Sequence, residues 1–176
     1  PIPPDNLLEF AEVARAVRIP IATGERMTTK TEFATVLRTG GAKILQPALG
    51  RVGGIWEAKK LSVLAEAFNA EIAPHLYAGP VEWAANVHLC TSIPNMLLAE
   101  TIETPFHAAL IRNTIRVEDG YITAPDTPGL GIELDEDLAR AHPCSGDGLR
   151  LQMQEAPCDY KNDNAFTGGA PTSPET

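Results

Sequence analysis

The sequence predicts an α/β fold built around parallel strands, and two observations support this prediction. Four segments with apolar residues at helical spacing alternate with four short apolar segments, which is typical of parallel βαβ units. Each short segment also ends on a polar side chain, and these ends follow one another at 21, 29 and 25 residues: Glu25, Gln46, His75 and Glu100. An interval of this size accommodates one strand and one helix.

The four helices are predicted from their apolar spacing and from the residues at their ends. The first has Asp5 as a candidate N-cap, and the second is stopped by Gly40 and Gly41. The fourth has Pro80 in its first turn, where proline is tolerated. The predicted helices cover residues 5–18, 30–40, 54–70 and 80–92.

The four strands are short and apolar throughout, as expected when helices cover both faces of a parallel sheet. They are predicted at residues 19–23, 43–47, 71–75 and 95–100. Four such units make half of an eight-stranded barrel. A doubly wound open sheet is the alternative. No glycine-rich phosphate-binding motif follows the first strand, which weakens a nucleotide-binding version of that alternative.

The rest of the chain has a different pattern. Residues 115–143 predict an Asp-Gly hairpin, a loop rich in proline and glycine, and a short acidic helix. Residues 144–176 contain few aliphatic side chains and predict an irregular tail, which is ordered only if it packs on something larger. We therefore divide the chain into residues 1–114, with the βα units, and residues 115–176, with the hairpin, short helix and tail.

The composition excludes several kinds of partner. The net charge of −9 and the pI of about 4.9 argue against nucleic acid and anionic membranes, which select basic surfaces. No apolar run is long enough to predict a membrane-spanning helix. The three cysteines, Cys90, Cys144 and Cys158, are not closely spaced. They predict a reducing compartment and hence a cytoplasmic protein.

Ionisable residues at the strand ends are the candidates for catalysis, because the active sites of βα barrels lie where strands end. The carboxylate of Glu25 could ligate Mg²⁺, which prefers oxygen ligands. Its alternative is a surface ion pair with Arg26. One carboxylate does not hold Mg²⁺, so further ligands must come from elsewhere. His75 could act as a general acid/base, or it could be a structural histidine.

Glu100 ends the fourth predicted strand. If it is protonated, it could donate a hydrogen bond to a substrate oxygen or to a developing oxyanion. Its alternative is a helix cap or an ion pair. Arg26 and Tyr77 could bind a polar substrate, although both could equally be structural. Trp56 and Trp83 lie on predicted helices, and we expect both to be packing residues.

Four stretches carry a resemblance to a known family: "PIATGERM", "ILQPALGRVGGIWEAKKLSVLAEAFNAEIAPHLYAGP", "PNMLLAE" and "GYITAPDTPGLGIELDED". Together, and in this order, they resemble the C-terminal half of the enolase superfamily. The specific subgroup is that of mandelate racemase and muconate lactonizing enzyme, with its sugar-acid dehydratases. The resemblance implies a modified (β/α)7β TIM-type barrel. It also implies that residues 115–176 contribute to a capping domain built from both chain termini.

The resemblance assigns roles to the candidate residues. Glu25 corresponds to a metal-binding carboxylate, His75 to the acid/base histidine, and Glu100 to a carboxyl group that contacts the substrate. The implied reaction is Mg²⁺-dependent abstraction of the proton next to the carboxylate of a sugar acid, followed by dehydration. The alternatives are a racemase or cycloisomerase acting on a sugar acid or its lactone, and a catalytically degenerate barrel fragment that acts as a scaffold.

Two departures from the family pattern stand out. The family's other two metal carboxylates and the main part of the capping domain precede the segment represented here. We therefore expect the chain to be incomplete, with the missing N-terminal half as its partner, in a protein that forms a homo-oligomer. The second departure is Ala48. Members with an acid/base histidine usually carry an aspartate there, which orients the histidine, so Ala48 marks the position of a missing partner.

Overall fold

The computed structural model describes residues 2–4, 6–101, 104–112 and 115–143, and they form a mixed α/β fold. Its helices are α1 (Glu9–Ala16), α2 (Lys30–Arg38), α3 (Leu49–Val52), α4 (Ile55–Glu66), α5 (Pro80–Ser92), α6 (Pro105–Ala109) and α7 (Glu136–Ala141). Its strands are β1 (Ala22–Thr23), β2 (Ile44–Leu45), β3 (Glu71–Ile72), β4 (Val117–Glu118) and β5 (Tyr121–Ile122). No helix in these ranges is long and apolar enough to cross a membrane.

Parallel pairing joins β1, β2 and β3 in that order. Thr23 lies beside Leu45, and Leu45 lies beside Ile72, so the three strands end at the same edge. This confirms the first three predicted strands and their direction. The α/β fold class is therefore confirmed, although each strand is shorter than predicted.

The fourth predicted strand, residues 95–100, is wrong as a full strand, because only Met96 forms a parallel bridge, to Ile72. Asn95 O accepts a hydrogen bond from Ile72 N (2.8 Å), and Leu97 N donates to Ile72 O (2.9 Å). The next residue of the neighbouring chain segment that would continue this ladder is Pro74. Since proline has no N–H, the ladder loses a donor there.

Two short helices, α3 and α6, are absent from the sequence prediction. Helix α3 starts after the extended residue Ala48 and is followed by the C-cap Gly53, whose φ is +100°. Helix α6 has Thr104 as its N-cap, and the Thr104 side chain accepts a hydrogen bond from His107 N (3.1 Å). Both are single-turn helices that carry too few residues to show an apolar periodicity.

The main core lies between the sheet and helices α2, α4 and α5. Helix α4 packs on both α2 and α5 and also contacts β3. The largest fully buried side chains in this cluster are Phe33, Leu45, Leu61, Ile72 and Leu89. A smaller cluster forms around Leu76 and Trp83 and includes Ile122 of the hairpin.

The two tryptophans differ in their environments. Trp83 is buried on α5, which confirms its packing role. Trp56 is 72% exposed, and the Lys60 ammonium lies 5.7 Å from its ring centroid. The packing prediction for Trp56 is therefore wrong, because its position on α4 faces away from the core.

The predicted hairpin and acidic helix are both present. Strands β4 and β5 pair in antiparallel fashion around Asp119 and Gly120, whose φ values are +52° and +79°. Two consecutive positive φ values are the requirement of a type I′ turn. Helix α7 has Asp135 as its N-cap, whose carboxylate accepts a hydrogen bond from Leu138 N (2.9 Å).

The chain divides into two compact units, residues 1–142 and 143–176. In the second unit, only Pro143 belongs to the described residues. The predicted tail, residues 144–176, therefore lies outside the described part. The division predicted between residues 114 and 115 stays a prediction.

Helix α2 has a capping box that provides a test of local stability. Thr29 Oγ1 accepts from Glu32 N and donates to Glu32 Oε2 (2.7 Å), and Glu32 Oε2 also accepts from Thr29 N (2.8 Å). We expect Thr29→Ala to lower the free energy of unfolding by about 1 kcal/mol, as measured by urea denaturation. Thr31→Ala, on the exposed side of the same helix, should change it by less than about 0.5 kcal/mol.

The same capping box is sensitive to pH. The hydrogen bond from the Thr29 hydroxyl is the largest influence that holds the pKa of the Glu32 carboxyl below its ordinary value. A carboxylate with a lowered folded-state pKa stabilises the fold above its unfolded pKa, about 4.3 for Glu. That stabilisation is lost as the pH falls through the lowered value. The difference in the free energy of unfolding between wild type and Thr29→Ala should therefore narrow below about pH 4. A difference that stays constant with pH would contradict a contribution from the Thr29–Glu32 hydrogen bond.

Candidate active site

Strands β1, β2 and β3 end at a common edge, and three residues singled out from the sequence lie just beyond their ends. Glu25 follows β1, Ala48 follows β2 and His75 follows β3. Backbone hydrogen bonds extend this arrangement beyond the strands, from Gln46 N to Thr23 O (2.9 Å) and from His75 N to Pro47 O (3.2 Å). Position 48 therefore lies one residue beyond the carbonyl that fixes the backbone of His75.

His75 and Glu100 are in direct contact. His75 Nδ1 lies 2.8 Å from Glu100 Oε2. The same carboxylate oxygen accepts a hydrogen bond from Leu76 N at 2.8 Å. The side chains of His75 and Glu100 are 21% and 40% exposed, respectively, so the pair is accessible from solvent.

The second ring nitrogen of His75 has no hydrogen-bond partner among the described residues. An imidazole bonded through Nδ1 and open at Nε2 can accept or donate a proton at Nε2. By contrast, His88 Nε2 contacts Leu130 O (3.1 Å). The geometry therefore separates the candidate acid/base His75 from a histidine that is bonded to the backbone.

Ala48 is buried, with only 6% of its surface exposed. It has an extended backbone (φ −87°, ψ 120°) at the start of α3 and offers no polar side chain to that helix. The following turn is held by Glu82 of α5, whose Oε1 accepts a hydrogen bond from Gly50 N (3.1 Å). Sequence reasoning missed Glu82, because only the tertiary packing of α3 and α5 brings it to this turn.

The remaining candidates do not contact this pair. Glu25 and Arg26 form an ion pair, with Oε1 and Nε 3.8 Å apart, and both side chains are about half exposed. Tyr77 is 59% exposed. Within the described part of the chain, no group of three or more metal-ligating side chains comes together. The donor type of Glu25 suits Mg²⁺, but the described residues do not by themselves fit a complete site, which needs several oxygen ligands.

Gly24, directly before Glu25, provides a second test of stability. Its φ is +132°, and a Cβ atom placed on it would lie 2.7 Å from Phe33 Cε1 and 3.0 Å from Gln46 N. We expect Gly24→Ala to destabilise the protein by about 2–3 kcal/mol, because backbone strain and steric overlap add. Gly40→Ala is the matched control, since Gly40 also has a positive φ (+73°) but nothing within 4 Å.

The control variant Gly40→Ala should lose only about 1 kcal/mol in the free energy of unfolding. Urea denaturation of the wild type and of both variants measures the difference. Equal losses in the two variants would show that the close approach of Phe33 and Gln46 to Gly24 has no energetic effect.

Comparisons with known proteins place the chain in a family. The model of the enolase C-terminal domain-like family matches residues 1–138. A mandelate racemase/muconate lactonizing enzyme from a Sulfitobacter species has a solved structure that is 72% identical, with a TM-score of 0.83 over 90% of this chain and 40% of that chain. A similar protein from a Roseovarius species is 70% identical, with the same TM-score and coverage.

Among the curated relatives, D-galactonate dehydratase from Ralstonia nicotianae is 39% identical over 146 residues. The match covers 78% of this chain and 38% of that enzyme. The chain therefore spans about two fifths of the length of the proteins it matches. From the matched residues and the high structural similarity, the chain belongs to the enolase C-terminal domain-like family, in the mandelate racemase/muconate lactonizing enzyme subgroup of the enolase superfamily.

Proposed function

We propose that the chain is the C-terminal part of an enzyme that dehydrates a sugar acid. The observation that carries the proposal is the geometry of His75, which follows β3, contacts Glu100 Oε2 through Nδ1 and is open at Nε2. The 39% identity to a D-galactonate dehydratase supports the substrate class. The common edge at which β1, β2 and β3 end supports the position of the active site, because catalytic groups of such folds lie at the strand ends.

His75 accounts for the proton transfers of this reaction. The neutral ring can take the proton from the carbon next to the carboxylate, using the lone pair of Nε2. The ring then holds that proton as a cation and can donate it to the hydroxyl that leaves the neighbouring carbon. One C–H bond and one C–O bond break, a C=C bond forms, and one water is released. The resulting enol becomes a 2-keto-3-deoxy acid.

Glu100 has one oxygen that the described residues leave unbonded. Oε2 accepts from His75 and Leu76, whereas Oε1 makes no hydrogen bond in the described part of the chain. We assign Oε1 to contact with a substrate hydroxyl, the contact that the family resemblance implies for Glu100. Arg26 and Tyr77, both exposed, stay proposed substrate-binding residues without a contact that supports them.

The proposed cofactor is Mg²⁺, with Glu25 as one ligand. When bound, the ion would supply positive charge beside the substrate carboxylate. The other ligands must come from outside the described residues, because these contain no cluster that holds a metal.

We also propose the finer architecture. Strands β1, β2 and β3 and the segment around Met96 would form the second half of a (β/α)7β barrel, with residues 115–176 joined to a capping domain. The parallel order of the strands supports this proposal, as does coverage of about two fifths of the solved relatives. The missing half and a homo-oligomeric assembly are part of the same proposal.

Incubation of the full protein with Mg²⁺ and a panel of aldonic and aldaric acids, D-galactonate among them, tests the function. We expect one acid to lose one water, as seen by mass spectrometry, and a 2-keto-3-deoxy product to form. A catalytically degenerate scaffold would give neither turnover nor exchange of the α-proton in D₂O, and that result would overturn the proposal.

A racemase or cycloisomerase is the second candidate. The relative at 72% identity is a mandelate racemase/muconate lactonizing enzyme, the one at 70% is a mandelate racemase/muconate lactonizing enzyme-like protein, and neither name specifies a dehydratase. Such an enzyme would exchange the α-proton for deuterium in D₂O and give a product without loss of water. The same assay therefore separates the two candidates.

A further inference from the structure

We propose that Glu100 is the positioning residue of His75 and that it replaces the carboxylate that Ala48 does not supply. In this proposal, Glu100 keeps the hydrogen of the neutral ring on Nδ1 and leaves the lone pair on Nε2. The inference rests on the proposed acid/base role of His75 for its catalytic meaning. The tautomer that it assigns can nevertheless be measured without substrate.

The first argument is the pattern of bonds on Glu100 Oε2. This oxygen lies 2.8 Å from His75 Nδ1 and 2.8 Å from Leu76 N. The backbone N–H of Leu76 is always a donor, so Oε2 is an acceptor in that bond. An ionised carboxylate is also an acceptor towards the ring, and Nδ1 must then carry the hydrogen.

The second argument is the rigidity of this contact. The two donors belong to consecutive residues, and Leu76 is fully buried. The carboxylate is therefore fixed to the backbone of Leu76, in the segment that follows β3, as well as to the imidazole. This double attachment ties the orientation of the ring to the main chain, which is what a positioning residue must do.

The third argument is the lack of a competitor. Within the described residues, His75 Nδ1 has no hydrogen-bond acceptor other than Glu100. Position 48 lies next to His75 because Pro47 O accepts the hydrogen bond from His75 N (3.2 Å), but Ala48 presents only a buried methyl group. A carboxylate at position 48 would compete with Glu100 for the same nitrogen.

The ¹⁵N chemical shifts of the histidine ring in the full protein, at a pH where the ring is neutral, test the proposal. His75→Gln identifies the signals of His75. In the wild type, we expect the pattern with hydrogen on Nδ1, and in Glu100→Ala we expect the tautomer to move towards hydrogen on Nε2. A wild-type ring with hydrogen on Nε2 overturns the proposal, and this measurement needs no folded Glu100 variant.

Kinetics provide the second readout. If Glu100 positions His75, Glu100→Ala should lower kcat about 100-fold. Addition of Ala48→Asp to that variant should restore the hydrogen on Nδ1 and raise kcat about tenfold or more above that of Glu100→Ala. Ala48→Asn in the same background is the matched control without charge, and it should recover less. If Glu100 only contacts substrate, Glu100→Ala leaves the tautomer unchanged and Ala48→Asp rescues nothing.

The two proposals fail in different ways. Suppose that the wild-type ring carries hydrogen on Nδ1, that Glu100→Ala moves it to Nε2, and that no sugar acid is turned over. This result supports the positioning contact and contradicts the proposed function. A wild-type dehydratase with hydrogen on Nε2 supports the function and overturns the positioning role.

Discussion

His75→Gln should lower kcat/KM for the proposed sugar-acid substrate by about 10²- to 10⁴-fold, the usual contribution of a general acid/base. Glutamine approximates the size of the ring and can still reach Glu100, but it cannot take up a proton at neutral pH. The ring is only 21% exposed and bonds Glu100 through Nδ1, so the fold around it should persist. Steady-state rates with D-galactonate and the other acids of the panel, together with a melting curve, check both expectations.

The matched control is His142→Gln. His142 lies at the end of α7, where its Nδ1 contacts Leu138 O (3.0 Å) and its ring meets Phe106 with centroids 5.1 Å apart. It belongs to neither the strand edge nor the His75–Glu100 pair, so its replacement should leave the rate within about twofold. A His75→Gln variant that retains wild-type turnover would remove His75 from the mechanism.

Phe33→Ala should lower the free energy of unfolding by about 3–5 kcal/mol. Phe33 is fully buried in the main core, and its ring lies against Gly24 at the end of β1. Removal of the ring leaves a cavity whose walls cannot fully close. Urea denaturation of the full protein, followed by fluorescence and by circular dichroism, measures the loss.

Phe106→Ala removes the same ring from an exposed site and serves as the control. Phe106 is 41% exposed, and its loss should cost about 1 kcal/mol through the contact with His142. A similar loss of unfolding free energy in both variants would mean that burial is not the main source of the stability that Phe33 provides.

Much of the fold follows from local signals in the sequence. The Asp119–Gly120 pair supplies the two positive φ values of a type I′ turn, so the hairpin could be predicted from two residues. Strands β1, β2 and β3 follow from their apolar runs. The fourth strand could not be predicted correctly, because its pairing depends on Pro74 in the neighbouring segment rather than on its own residues.

The candidate site follows from the sequence only in part. Parallel strands end at one edge, so His75 and Ala48 could be placed close together from their positions after β3 and β2. The contact between His75 Nδ1 and Glu100 Oε2 (2.8 Å) depends on side-chain orientation across segments that are 25 residues apart, and no local pattern encodes it. The same is true of Glu82, which holds the turn after Ala48 through Gly50 N.

The hydrogen bond from His75 N to Pro47 O also has an evolutionary consequence. It places position 48 one residue beyond the carbonyl that holds the backbone of His75. If Glu100 positions the ring as proposed, an acid at position 48 would offer a second carboxylate to the same nitrogen. A lineage that carries acids at both positions can lose either one and keep the imidazole oriented. Position 48 can then change while every ancestor keeps one acid that orients the histidine. Substitution there would be a mark of drift between equivalent solutions, and the presence of alanine would not by itself identify a pseudoenzyme.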